Sequence, residues 1–148
     1  MSASDSFMPG RSSSPNVEGM TSQLAAISIV TNDMPAAVAF YQACGLRLSG
    51  GGPAEPHSEF AGAGIKVMLD TREIIEQIDP EWRPPTGGHA MALAFDCGSP
   101  AEVDATFERL VAAGAKPAKQ PWDAFWGQRY AMIQDPDGNQ VDLFAASG

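Results

Sequence analysis

WGQRYAMIQDPDGNQVDLF, Trp126 to Phe144, is the stretch whose reading decides the fold. Asp135-Pro136-Asp137-Gly138 is a turn with a mechanism: Pro136 presets φ, Asp137 can bond nearby backbone, and Gly138 accepts positive φ. The flanks alternate with period two. Trp126, Gln128, Tyr130 and Met132 interleave with Arg129, Ala131 and Ile133, and Gln140, Asp142 and Phe144 interleave with Val141 and Leu143. A β-hairpin follows, with Val141 and Leu143 turned to the core and Asp142 projecting from the other face. Arg129 points away from Asp142.

Working outward, His89 to Cys97 (HAMALAFDC) reads as a buried strand. Ser99-Pro100-Ala101-Glu102 is a capping box with Pro at the first helical position, and Val103, Phe107, Leu110 and Val111 make one apolar helix face that Gly114 ends. Leu24 to Val30 (LAAISIV) reads as another buried strand. Asp33 caps a helix over Met34 to Cys44, stopped by Gly45. Leu46 to Ser49, Ser58 to Ala61 and Ile65 to Asp70 read as short strands. Thr71 to Gly88 holds one helical turn and three prolines, so it is a connector. Met1 to Thr21, rich in Ser, Pro and Gly without period, is expected to be a disordered tail.

The domain is therefore predicted over 22–148. Of the residues 44% are hydrophobic, enough for a sizeable core, and 18 acids against nine bases give a net charge of -9. Such a charge repels phosphate backbones and anionic lipid surfaces, so neither nucleic acid nor membrane is an expected partner. It keeps a protein soluble, and it also favours a cationic ligand. Cys44 and Cys97 are too few for a disulfide framework or a zinc site, and read as buried thiols in a reducing compartment. No apolar run approaches the ~20 residues that cross a bilayer, and the start lacks the basic and apolar segments of a secretion signal. A cytoplasmic protein is expected.

The chain also repeats itself. Ile27-Ser28-Ile29 matches Leu93-Ala94-Phe95 at an offset of 66 residues, Pro35-Ala36-Ala37-Val38 matches Pro100-Ala101-Glu102-Val103 at 65, and Gly64 to Leu69 matches Gly138 to Leu143 at 74. Each half is strand, helix, three strands. The fold class is α+β: two βαβββ modules, about 24–70 and 89–146, joined by the connector 71–88, pairing into a cup-shaped sheet with helices outside. NDMPAAVAFYQACGL at 32–46, SPAEVDATFERLVAAGA at 99–115 and the hairpin at 126–144 give the chain a resemblance to the vicinal oxygen chelate superfamily. That family includes glyoxalase I, extradiol dioxygenases and bleomycin-binding proteins.

In metal-using members, the resemblance implies, ligands project from the first and last strands of each module. Here those positions fall at Ala26, Met68, Ala92 and Asp142. A methyl has no lone pair and a thioether suits hard divalent ions poorly, so one ligand of four remains and neither metal nor other cofactor is expected. His57 lies in or near a Gly/Pro-rich loop and His89 faces away from Ala92, and both read as exposed or strand-end imidazoles. The chain resembles bleomycin-binding members, which use a metal-free, acidic, dimeric cup to hold a cationic drug. The expected function is metal-independent binding of a bulky or cationic small molecule by Ala26, Ser28, Met68, Ala92, Trp126, Tyr130 and Asp142, in a homodimer. An alternative is a lyase or isomerase with Asp142 as acid or base or with a non-standard metal site, and a third reading is an inert partner-binding domain with a filled pocket.

Overall fold

A computed structural model describes residues 22–62 and 64–147, and the expected tail, Met1 to Thr21, lies outside them. The first module is β1 (Ala26–Thr31), α1 (Met34–Ala43), β2 (Arg47–Gly50), β3 (His57–Ala61) and β4 (Lys66–Thr71). After α2 (Arg72–Ile78) the second module runs β5 (Ala92–Asp96), α3 (Pro100–Ala112), β6 (Lys116–Ala124), β7 (Gln128–Gln134) and β8 (Gln140–Ala146). Both long helices start as the sequence predicts. Asp33 Oδ1 accepts from the Ala36 amide at 3.1 Å, and Ser99 Oγ from the Glu102 amide at 3.3 Å.

Each module folds into one four-stranded sheet, in the orders β1-β4-β3-β2 and β5-β8-β7-β6. The first strand pairs in parallel with the last, because the helix between them carries the chain back across one face. The repeat is visible in the register: Ser28 stands opposite Met68, and Ala94 stands opposite Asp142. These pairs keep the offsets of 66 and 74 residues read from the sequence. The two modules of the α+β fold are thus the same unit built twice.

Period-two alternation sorts each sheet into two faces. Phe60, Val67 and Leu69 in one sheet, and Ile133, Val141 and Leu143 in the other, are buried in a core that includes Val38 and Tyr41 of α1 and Val103 and Leu110 of α3. Burying such a side chain contributes about 1.5–3 kcal/mol. The opposite faces stay open: Ser28, Ala92 and Ala94 are all exposed.

Several local expectations are corrected. The segments read as buried strands, 24–30 and 89–97, shorten to β1 and β5, which are covered on one face only; Leu24 is 73% exposed and His89 lies outside β5. The connector holds seven helical residues rather than one turn, because Thr71 Oγ1 caps Ile74 and Arg72 pairs with Glu76 one turn on. Its helix buries nothing. Cys44 and Cys97 are half-buried rather than buried. The repeat calls for a strand between α3 and β7, but the range of β6 was not legible because Pro117 and Pro121 interrupt it. It survives as an edge strand whose register shifts between Pro117 and Lys119 and again before Trp122.

Candidate functional site

The hairpin at 126–144 forms as expected, and its turn is fixed from inside. The Gly138 amide returns to the Asp135 carbonyl at 3.0 Å, with Gly138 at φ 90°. Asp135 Oδ1 accepts the Asp137 and Asn139 amides, both at 2.9 Å. The Asp137 carboxylate, expected to bond nearby backbone, reaches instead to the other module: Thr31 Oγ1 donates to it at 2.5 Å and the Asn32 amide at 2.8 Å.

Beyond the turn, Asp142 projects from the open face of β8, as alternation required. Tyr130 on β7 donates its hydroxyl to Asp142 Oδ2 at 2.6 Å, and the Gln140 amide donates to Oδ1 at 2.8 Å. Burial, then the bond to Asp142 and its charge, push the Tyr130 phenol up to about 12. The phenol therefore stays protonated at neutral pH and holds the carboxylate as a hydrogen-bond donor.

Around this pair stands an aromatic wall. Trp122 and Trp126 meet the Tyr130 ring edge-on at centroid distances of 5.5 and 5.4 Å, and Phe144 stacks on it at 6.3 Å. Lys119 Nζ lies 4.2 Å above the Trp122 ring, so the wall already engages one cation. Trp126 is 49% exposed and Phe125 beside it 96%, which leaves these rings open to solvent. Arg129 faces the helix side, as expected, and pairs with Asp104 of α3 through Nε at 3.0 Å and Nη2 at 3.3 Å.

A separate cavity of about 370 Å³ opens along the seam between β1 and β5. Ser28, Ala92, Trp82, Asp137 and Gln140 are among the residues that line it. Of the seven residues read from the sequence, Asp142, Tyr130 and Trp126 form one cluster, and Ser28 and Ala92 share the seam. Ala26 and Met68 line neither, although Met68 sits beside Ser28 in the ladder. Gln140, missing from the sequence reading of the site, connects the two places: it is buried, lines the seam and holds Asp142. Its position two residues before Asp142 on the same face was the available signal.

The residues at the family's metal positions do not fit a metal ion. Ala26 and Ala92 offer no donor atom, Met68 offers a thioether, and both Asp142 oxygens already accept hydrogen bonds. Among the described residues no three His, Cys, Asp or Glu side chains are grouped to hold one. His57 is a strand-end residue just beyond the Gly/Pro-rich loop. It opens β3 and shares the open face with Met68, Glu59 and Asp70, and both its ring nitrogens are bonded to acids.

A glyoxalase/bleomycin resistance protein/dioxygenase family enzyme from Burkholderia phytofirmans superposes with a TM-score of 0.75, at 22% identity over 84% of this chain and 99% of that one. A glyoxalase/bleomycin resistance protein/dioxygenase from Nocardioides gives 0.67, at 26% identity over 93% and 94%. A lactoylglutathione lyase from Agrobacterium tumefaciens gives 0.61, at 23% over 85% and 95%. No curated protein matches the chain. The family model for the glyoxalase/bleomycin resistance protein/dioxygenase superfamily matches residues 23–143, the stretch that builds the two βαβββ modules, and the chain belongs to that superfamily.

Proposed function

We propose that this chain is a metal-independent binding protein for a bulky, planar organic cation. The observation that carries the reading is Asp142, anchored by Tyr130 and Gln140 within a wall of Trp122, Trp126, Tyr130 and Phe144 on an open sheet face. A planar cation laid on that wall gains about 0.5–2 kcal/mol from each ring it covers. It also gains the attraction of a carboxylate that needs no reorganisation to receive it. The net charge of -9 draws the same kind of ligand from a distance. A nucleic acid would be repelled. Exposed Phe125 and the open face of β5 support a homodimer, which light scattering would count.

A second reading makes Asp142 the acid or base of an isomerase or lyase, and the name of the Agrobacterium neighbour favours it. Against it, both carboxylate oxygens already accept hydrogen bonds, and the adjoining phenol, pushed up to about 12, parts with its proton poorly. Binding is the better supported of the two.

Tryptophan fluorescence and calorimetry with a bleomycin-type glycopeptide, a mitomycin-type quinone and planar cationic dyes test the reading. Submillimolar binding is expected for at least one, weakened about tenfold or more in Asp142→Asn, equivalent to ~1.4 kcal/mol. Silence across the panel would overturn sequestration. Turnover that Asp142→Asn abolishes while binding persists would favour the enzyme.

A further inference from the structure

The open face of the first module carries a charged row that the ligand reading leaves unused. Lys66 Nζ donates to Glu59 Oε1 at 3.0 Å, Glu59 Oε2 meets His57 Nε2 at 2.9 Å, and Asp70 Oδ1 meets His57 Nδ1 at 2.6 Å. The register explains the row: His57 stands directly opposite Asp70, and Glu59 opposite Met68. From β2, on the other side of β3, Gly50 stands opposite Glu59, and the one charge on the same face is Arg47, opposite Ala61.

A carboxylate accepts hydrogen bonds and cannot donate them. Two ring nitrogens, each bonded to a carboxylate, therefore both carry protons, and the ring is an imidazolium. Remove one proton, and a bare nitrogen lone pair faces an oxygen lone pair. One of the two acids must then leave. Asp70 holds the shorter bond and its side chain is 17% exposed against 29% for Glu59, which also keeps Lys66 as a partner. Glu59 is the one released.

We propose that His57 is a proton-operated latch on the open face of the first module. Protonated, it ties Glu59 to Asp70. Deprotonated, it lets Glu59 go and presents a free Nε2, aligned by Asp70, as a base on that face. The row of two cations and two anions becomes one cation and two anions, so the face loses one positive charge as pH rises. The bonds to Glu59 and then Asp70 hold His57 above its ordinary value, so the change falls above the usual imidazole range. In the second module the register mate of His57 is Tyr130, which faces Phe144 as His57 faces Asp70. Its phenol, up at about 12, does not titrate there. Only one half of the molecule responds.

The test is an NMR titration of the full chain in a His89→Gln background, which leaves one imidazole. His57 is expected to titrate above its value in the urea-unfolded chain, with the Glu59 carboxyl resonance moving at the same midpoint. Glu59→Ala and Asp70→Asn should each lower that midpoint. Glu59→Ala should also speed acylation of His57 by diethyl pyrocarbonate, about tenfold per unit of fall while the ring is mostly protonated. A midpoint equal to that of the unfolded chain, one unmoved by either variant, or a Glu59 resonance indifferent to the titration overturns the latch.

Discussion

Asp135 is 3% exposed and accepts four hydrogen bonds, from the Asp137 and Asn139 amides, the Asn139 side chain and the Tyr41 hydroxyl. A buried carboxylate persists only when its lone pairs are filled, and here three of the donors come from its own turn. The fourth crosses to α1 at 2.7 Å, and burial with the neighbouring acid keeps the Tyr41 phenol far above its ordinary value, so it remains the donor. Tyr41→Phe removes that one bond and little volume. Urea denaturation is expected to read a loss of about 1.5–3 kcal/mol, the range for a hydrogen bond to a charged group. At His57 the sign of a pH effect can be worked out. Its folded value is raised, so its contribution is complete below the unfolded value and disappears as pH rises through the folded one. The stability difference between the wild type and His57→Gln should therefore shrink toward zero with rising pH, measured as paired urea midpoints. A difference that grows instead would mean the acids are not held by the protonated ring.

At the scale of elements, the loop before β3 is pinned where its backbone passes another strand. Gly51 has φ 75°, and a Cβ there would meet the His57 carbonyl at 2.2 Å and Ser58 at 2.8 Å. Gly45, with φ 106°, has nothing within 4 Å of the same atom. Gly45→Ala should cost about 1–2 kcal/mol for the left-handed backbone alone. Gly51→Ala adds to that an overpacking cost of about 1–3 kcal/mol, and comparing the two melting curves isolates the contact. The sequence announced elements whose signals are local: the capped helices, the DPDGN turn, and β8, where Val141 and Leu143 alternate with Asp142. It hid those that depend on neighbours. β6, with two prolines and exposed lysines, is a strand only because β7 lies beside it. His57 reads as in or near a loop because Gly51 to Pro56 precede it, yet His57, Ser58, Glu59 and Phe60 already alternate, and beginning the strand one residue earlier places the imidazole on the open face. The aromatic wall was legible in part. Alternation put Trp126, Tyr130 and Asp142 on one side, but the tie through Gln140 needed the fold.

For the whole molecule, the seam between modules is where fold and site meet. β1 and β5 are edge strands of separate sheets, and the cavity lies between them. Hydrogen bonds cross from one module to the other through Tyr41 on Asp135, Thr31 and Asn32 on Asp137, and Arg109 Nη2 on the Ala43 carbonyl at 3.4 Å, and of these the Asn32–Asp137 pair lines the cavity. Asp137, Asn139 and Gln140 belong at once to the docked hairpin and to the cavity wall. Gln140 carries the connection onward to Asp142. If the ligand is held across the seam and the wall together, its affinity must depend on how the hairpin docks, even through residues it never touches. Thr31 is such a residue. It is fully buried, lies outside the cavity lining, donates to Asp137, and accepts the Asp33 amide at 3.0 Å at the start of α1. Thr31→Val keeps the shape and deletes these bonds. The expected loss of stability is about 1–3 kcal/mol, the usual cost of leaving buried partners unmet. The same variant should bind the best compound of the fluorescence panel several-fold more weakly, at a temperature where it is still fully folded. Unchanged affinity beside lowered stability would mean that the wall around Asp142 acts alone and the seam serves only to join the modules.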